Sequence, residues 1–158
     1  MASMFDELFD MSDDTILITG GGTGLGRQFA QVLARAGATL ILSGRRMEKL
    51  EESAESVRAS GGNVHCVAMD VSDSDSVARG IEACNQISPI NVLVNNAGTT
   101  SENVLLELDE KSWDRVLDTN LKGAWMVARE VVRSRAARDQ GGAIVNIASV
   151  LGTSVQKG

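Results

Sequence analysis

The apolar positions of this chain fall into short, nearly unbroken runs separated by amphipathic stretches. Five runs have strand length: TILIT (15–19), TLIL (39–42), NVHCVAM (63–69), NVLV (91–94) and AIVNIA (143–148). They are almost continuously apolar instead of alternating with polar residues, the pattern of strands buried on both faces of a parallel sheet. The stretches between them carry helical periodicity. Leu25, Phe29, Val32, Leu33 and Ala36 fall at i, i+4, i+7, i+8 and i+11, and Gly37 stands where a left-handed C-terminal cap is wanted. Leu50, Ala54 and Val57 form a second stripe, ended by Gly61 and Gly62. Val77, Ile81 and Cys84 form a third, with Ser72 and Asp73 available as its N-cap. A longer fourth stripe runs through Trp113, Val116, Leu117, Leu121, Ala124, Ala128 and Val131 until RDQGG (138–142) breaks it.

Strand and helix in strict alternation predict right-handed βαβ units. The expected fold class is therefore α/β, a Rossmann-like doubly wound parallel sheet. A length of 158 residues suits about one domain, divided as an N-terminal extension (1–12) and a Rossmann-like unit (13–158).

Composition narrows the classes. With 43% hydrophobic and 23% charged residues the chain reads as an ordinary globular protein. No apolar run approaches the ~20 residues of a membrane span. MASMFDELFDMSDD lacks the basic and apolar regions of a secretory signal, so the expected compartment is the cytoplasm, with no membrane partner. A net charge of −6 argues against a nucleic-acid partner, which needs clustered Lys and Arg. Cys66 and Cys84 are too far apart for a CxxC pair, and with His65 as the single histidine no familiar zinc pattern can be assembled; no metal is expected. His65 lies inside a strand-like run and reads as structural.

The first βα turn, ITGGGTGLG (18–26), carries the chemistry. Its position directly after a strand and before a helical stripe is the context in which glycines let a pyrophosphate rest on amides at a helix N-terminus. Arg27 and Gln28 follow the last glycine where a P-loop would have Lys and Ser or Thr, which disfavours nucleoside triphosphate hydrolysis. The second strand ends in LSGRR (42–46), without the acid that grips ribose hydroxyls in NAD or S-adenosylmethionine sites. A guanidinium at Arg45 suits a 2′-phosphate, favouring NADP over NAD and disfavouring a methyltransferase; Arg46 reads equally as a solvated residue opening a helix.

TGGGTGLG, MDV (69–71), NNAG (95–98), DTNLKG (118–123) and IVNIAS (144–149) occur in that order. On these motifs the chain, from near residue 10 to its last residue, resembles the short-chain dehydrogenase/reductase family. The resemblance implies hydride transfer between a nicotinamide and a carbonyl or alcohol substrate. It implies that Gly20, Gly22, Thr23, Gly24, Leu25 and Gly26 hold the pyrophosphate and adenosine ribose, that Arg45 is the basic position of NADP-preferring members, and that Asp70 and Val71 contact adenine. Asn96, Ala97 and Gly98 would border the cofactor and support the sheet. Ser149 would hydrogen-bond the substrate, and Asn120 would hold a water in a proton relay. Asn120 is also conspicuous by itself, an amide on an apolar stripe where it needs specific partners; a structural amide bonded to neighbouring backbone is the alternative. For Ser149 the alternative is a turn-forming serine.

The family's YxxxK pair is missing: the 158 residues contain no tyrosine, and Lys157 is the nearest lysine to Ser149 on its carboxyl side. The sheet is thus expected to be incomplete at its carboxyl end, with the fifth strand an edge, the long helix uncovered, and the chain by itself inactive and poorly soluble. In the family the long helix contributes to dimer and tetramer contacts, so a homo-oligomer is implied for a full-length protein. A second reading is a non-catalytic dinucleotide-binding protein, a sensor or partner subunit. TTSENVLLELDE (99–110) would line one side of the cleft, but sugars, steroids, acyl thioesters and small ketones all remain open as substrates.

Overall fold

The computed structural model describes residues 8–101 and 104–152. Residues 1–7 of the N-terminal extension, Glu102 and Asn103 of the 99–110 segment, and Lys157 lie outside the described residues. Five parallel strands, β1 (Thr15–Thr19), β2 (Thr39–Gly44), β3 (Val64–Ala68), β4 (Val92–Asn95) and β5 (Ala143–Asn146), form one sheet in the order β3-β2-β1-β4-β5. The order reverses between β1 and β4, and in open α/β sheets the crevice beyond the carboxyl ends of such a pair is where ligands bind. This is the Rossmann-like α/β fold expected from the alternation of runs and stripes.

Helices α1 (Gly24–Arg35) and α2 (Met47–Arg58) cover one face of the sheet, while α3 (Ser74–Ile87) and α5 (Ala124–Ala136) cover the other. Between β4 and α5 lies α4 (Glu110–Leu117), which runs through a wide π-type turn, Asp118–Gly123, into α5. The central strand supplies both cores. Ile16 and Ile18 pack with Leu40, Leu42, Ala30, Leu50, Ala54 and Val57; Leu17 packs with Ile41, Leu93, Val77, Ile81, Met126 and Val127. Ile16, Leu17 and Ile18 are fully buried, each contributing about 1.5–3 kcal/mol of hydrophobic stabilisation.

Several expectations are corrected. Burial on both faces holds for β1 and β2 but not for β3, where His65 and Cys66 are half-buried and Ala68 is exposed; β5 ends the sheet and is exposed along its length, as expected of the fifth strand as an edge. The stripe on α1 is rotated, with Leu25 and Val32 60% and 63% exposed. Gly26 and Ala30 face the sheet instead, flanked by Phe29, Leu33 and Ala34, because small residues let the helix settle closely on the strands. The fourth stripe is not one helix. A π-type turn adds a residue to the 3.6-residue repeat and rotates the following face by roughly 100°, so Trp113 and Leu121 are exposed while Met126, Val127 and Val131 are buried. At α3 the N-cap is Asp73, whose carboxylate accepts from Ser76 N at 2.6 Å; Ser72 bonds Asp70 instead. Among the described residues no helix is long and apolar enough to cross a membrane.

Both thiols are perturbed in the same direction. Burial, reinforced at Cys66 by the Glu51 carboxylate, pushes Cys66 up to about 12, and burial alone raises Cys84 to about 12. Unfolded thiols ionise near their ordinary value of 9.0, so the unfolded state releases protons first and stability should fall as pH rises from about 9 toward 12. Because the thiolate is the reactive form, labelling by a thiol-reactive disulfide at neutral pH is expected to be slow until denaturant is added; immediate reaction of both cysteines would contradict this placement.

Candidate functional site

The glycine-rich turn leaves β1 at the reversal point and is held from three sides. Thr19 Oγ1 accepts the amides of Asn96 and Ala97, both at 3.0 Å, and donates to Val94 O at 3.4 Å. In return Asn96 Nδ2 donates to Thr19 O and Gly20 O at 3.0 and 3.3 Å. On the other side Gly21 N donates to Ser43 O at 3.1 Å, and the buried Ser53 hydroxyl donates to Gly21 O at 2.9 Å. Gly20 has φ of +68°, in the left-handed region. Gly26 needs close approach: a Cβ there would run into the Gly20 carbonyl oxygen and lie 2.7 Å from Asn96 Nδ2.

Two clefts open above these residues. The first is lined by Gly20, Gly22 and Thr23 of the turn, by Gly44, Arg45, Arg46, Lys49 and Leu50, by Met69, Asp70 and Val71, and by Ala97, Gly98 and Thr119. Gly24, Leu25 and Gly26 do not line it: Gly26 lies buried beneath the turn, and the Leu25 side chain is exposed. Electrostatically the cleft suits an anion. No side chain caps α1, whose first turn has no acid, whereas Asp73 and Asp109 cap α3 and α4. Arg45 and Arg46 form no ion pair among the described residues. The Asp70 carboxylate is oriented by Ser72, which donates from its amide at 3.0 Å and its hydroxyl at 2.7 Å, while Asp70 N donates to Ser76 Oγ at 2.9 Å. Free helix N–H groups and unpaired guanidiniums fit the phosphates of a dinucleotide.

The second cleft adjoins the first through Ala97 and Gly98 and contains Asn95, Asn96, Asn120, Leu121, Ala124, Trp125, Asn146 and Ser149 among its lining. Ser149 and Asn120 are thus brought to one cavity. Asn120 is exposed, correcting the expectation that its amide faces the core. The π-type turn directs it to the loop after β4, where Thr99 N donates to Asn120 Oδ1 and Asn120 Nδ2 donates to Thr99 O, each at 2.8 Å. Arg115 ties the same loop through Thr99 Oγ1 and Thr100 O. Ser149 Oγ accepts from Leu151 N at 3.2 Å, capping the short turn Val150–Gly152 and leaving its O–H without an acceptor among the described residues. At the cleft floor, buried Asn95 donates to Ala124 O and Asn146 Oδ1, and its oxygen has no partner among the described residues.

Thr19, Ser53, Lys49 and Thr119 were not singled out by sequence reasoning. Only Thr19 carried a signal, as the residue before a glycine turn; Ser53 reads as one more polar helix position. Replacing Thr19 by Val keeps the shape but strands two amides, and should cost about 1–3 kcal/mol in urea denaturation; a loss below about 0.5 kcal/mol would show that the hydroxyl does not hold the turn.

The chain is similar to known proteins along nearly all of its length. The family model described as short chain dehydrogenase matches residues 14–158. Gluconate 5-dehydrogenase of Gluconobacter oxydans is 37% identical over 145 residues, 91% of this chain and 56% of that protein. The 3-oxoacyl-acyl-carrier-protein reductase FabG of Staphylococcus aureus is 37% identical over 138 residues, 86% of this chain and 56% of the reductase. Among solved structures, a short-chain type dehydrogenase/reductase from Mycobacterium marinum superposes with a TM-score of 0.92 at 29% identity, covering 98% of this chain and 63% of that one. One from Mycobacterium ulcerans gives 0.85 at 28% identity, covering 93% and 55%. The chain therefore spans little more than half the length of the curated relatives it matches. With nearly all of its length inside the match, it belongs to the short-chain dehydrogenase family, a family of NAD(P)-binding oxidoreductases.

Proposed function

We propose that the chain forms the cofactor-binding part of an NADP-dependent oxidoreductase acting on a ketone or secondary alcohol. The observation that carries this reading is the adjacency of the two clefts: a cationic, glycine-walled cleft runs through Ala97 and Gly98 directly into the cavity of Ser149 and Asn120. A dinucleotide lying along that path would have its pyrophosphate at Gly20, Gly22, Thr23 and the uncapped end of α1, where the helix dipole favours negative charge. Asp70 and Val71 would meet the adenine, and Arg45 a ribose 2′-phosphate. When bound, the nicotinamide supplies or accepts the hydride; this chain supplies orientation and polar contacts.

On the substrate side, the Ser149 hydroxyl already accepts a backbone amide and keeps its proton to give, which suits donation to a carbonyl oxygen. Asn120 would act through the loop it closes onto Thr99, keeping Gly98 and Thr99 in place beside the cofactor and leaving its remaining N–H for a relay water. The names of the relatives, a gluconate dehydrogenase and a 3-oxoacyl reductase, support a hydroxyl or ketone substrate. With no tyrosine in the 158 residues, Ser149 has no phenol beside it to exchange a proton with substrate, so the polypeptide by itself is expected to bind cofactor without turnover.

Titration calorimetry tests the cofactor reading. NADP is expected to bind about tenfold or more tightly than NAD, and Arg45→Ala to remove about tenfold of NADP affinity with a far smaller effect on NAD. Equal affinities, or tighter NAD binding, would contradict it. Hydride transfer by this chain to a panel of ketones would contradict the expectation of binding without turnover.

A further inference from the structure

Three cations line the adenosine end of the nucleotide cleft, and they are not equivalent. Arg45 and Arg46 form no ion pair among the described residues, whereas Lys49, in the first turn of α2, is occupied. Its Nζ donates to both carboxylate oxygens of Glu52, at 2.7 and 2.8 Å. The two side chains are 38% and 52% exposed, and a pair in that setting exchanges partners at little cost. Lys49 lines the cleft; Glu52 does not.

The root of Lys49 is fixed while its head is free to move. A Cβ on Gly22 would lie 3.0 Å from the Lys49 carbonyl carbon and 3.1 Å from Lys49 Cβ, so the glycine turn and this first helical turn are packed backbone to backbone. Leu50, the next residue, is buried in the core. A lysine ammonium is a compact charge on a four-carbon stem and can leave Glu52 for an anion in the cleft without any backbone shift. No carboxylate stands at the end of β2 to oppose that anion; of the neighbouring acids, Glu48 in the first turn of α2 does not line the cleft and Glu51 is held by Arg58 at 3.0 Å.

Resting on the NADP reading above, we infer that Lys49 is a second binding residue for the ribose 2′-phosphate and that Glu52 is its internal competitor. On binding, the ammonium exchanges the carboxylate for the phosphate and joins Arg45 in separating phosphorylated from unphosphorylated cofactor. Lys49 is thus a specificity residue, and Glu52 sets the strength of the preference.

Titration calorimetry on the 158-residue chain with 2′,5′-ADP and 5′-AMP, which differ by the phosphate in question, tests this without requiring turnover. Lys49→Gln is expected to weaken 2′,5′-ADP about tenfold and 5′-AMP by less than about twofold. Lys49→Arg should restore most of the loss, and Glu52→Gln should tighten 2′,5′-ADP about threefold, a gain that misfolding cannot imitate. Equal losses for both nucleotides, or none, in Lys49→Gln would overturn the inference, as would unchanged 2′,5′-ADP affinity in Glu52→Gln. If the parent chain itself does not prefer 2′,5′-ADP, the NADP reading fails and the inference with it; a parent preference that Lys49→Gln leaves undiminished sinks the inference alone.

Discussion

The Thr19 hydroxyl joins the two halves of the sheet at the place where the strand order reverses. Between β1 and β4 the register ends at Ile18 and Val94, and beyond it the strands diverge. Backbone amides there would be stranded without a partner. Thr19 Oγ1 takes the amides of Asn96 and Ala97, and Asn96 Nδ2 returns to the carbonyls of Thr19 and Gly20. A single hydroxyl and a single carboxamide therefore replace the ladder and keep the crevice open.

The rest of the site is built outward from that clamp. Gly20, fixed by Asn96, leaves room for Gly26 beneath it, which sets how closely α1 and its uncapped N-terminus approach the crevice. Gly21 reaches the other way, through Ser43 O and Ser53 Oγ, so α2 is positioned by the same turn. Arg45 and Lys49 flank the start of α2. The cleft consequently carries three cations against the Asp70 carboxylate on a chain whose net charge is −6. Local charge, not the sum, decides what such a cleft attracts.

Much of the fold was legible because burial leaves a plain trace in composition. The run at 15–19 coincides with β1 because a central parallel strand tolerates almost nothing polar, and the run at 143–148 begins at β5, which ends the sheet and is exposed along its length. Periodicity failed where its assumptions fail. Gly26 and Ala30 face the sheet of α1, but a hydrophobic stripe ranks them below Leu25 and Val32, which are exposed. The stripe from Trp113 onward presumed a uniform 3.6-residue repeat, and the π-type turn at Asp118–Gly123 breaks it. Asn120 was recognisable as an amide out of place, yet its partner, the backbone of Thr99, could not be read from a pattern that aimed it at the core. Ser149 proved to cap a turn and to line a cleft at once, so the two roles weighed for it are compatible. Ser53 left no trace, since a buried serine on a helix looks like any polar position until the opposing carbonyl is seen.

The most direct measurement is amide chemical-shift mapping of the isotope-labelled chain during titration with NADP. Shifts should concentrate at Gly20, Gly22 and Thr23, at Arg45 through Lys49, and at Asp70 and Val71, with Gly141 and Gly142 at the opposite end of the sheet unmoved. No shifts, or shifts confined to residues away from the first cleft, would contradict a dinucleotide site at the reversal between β1 and β4.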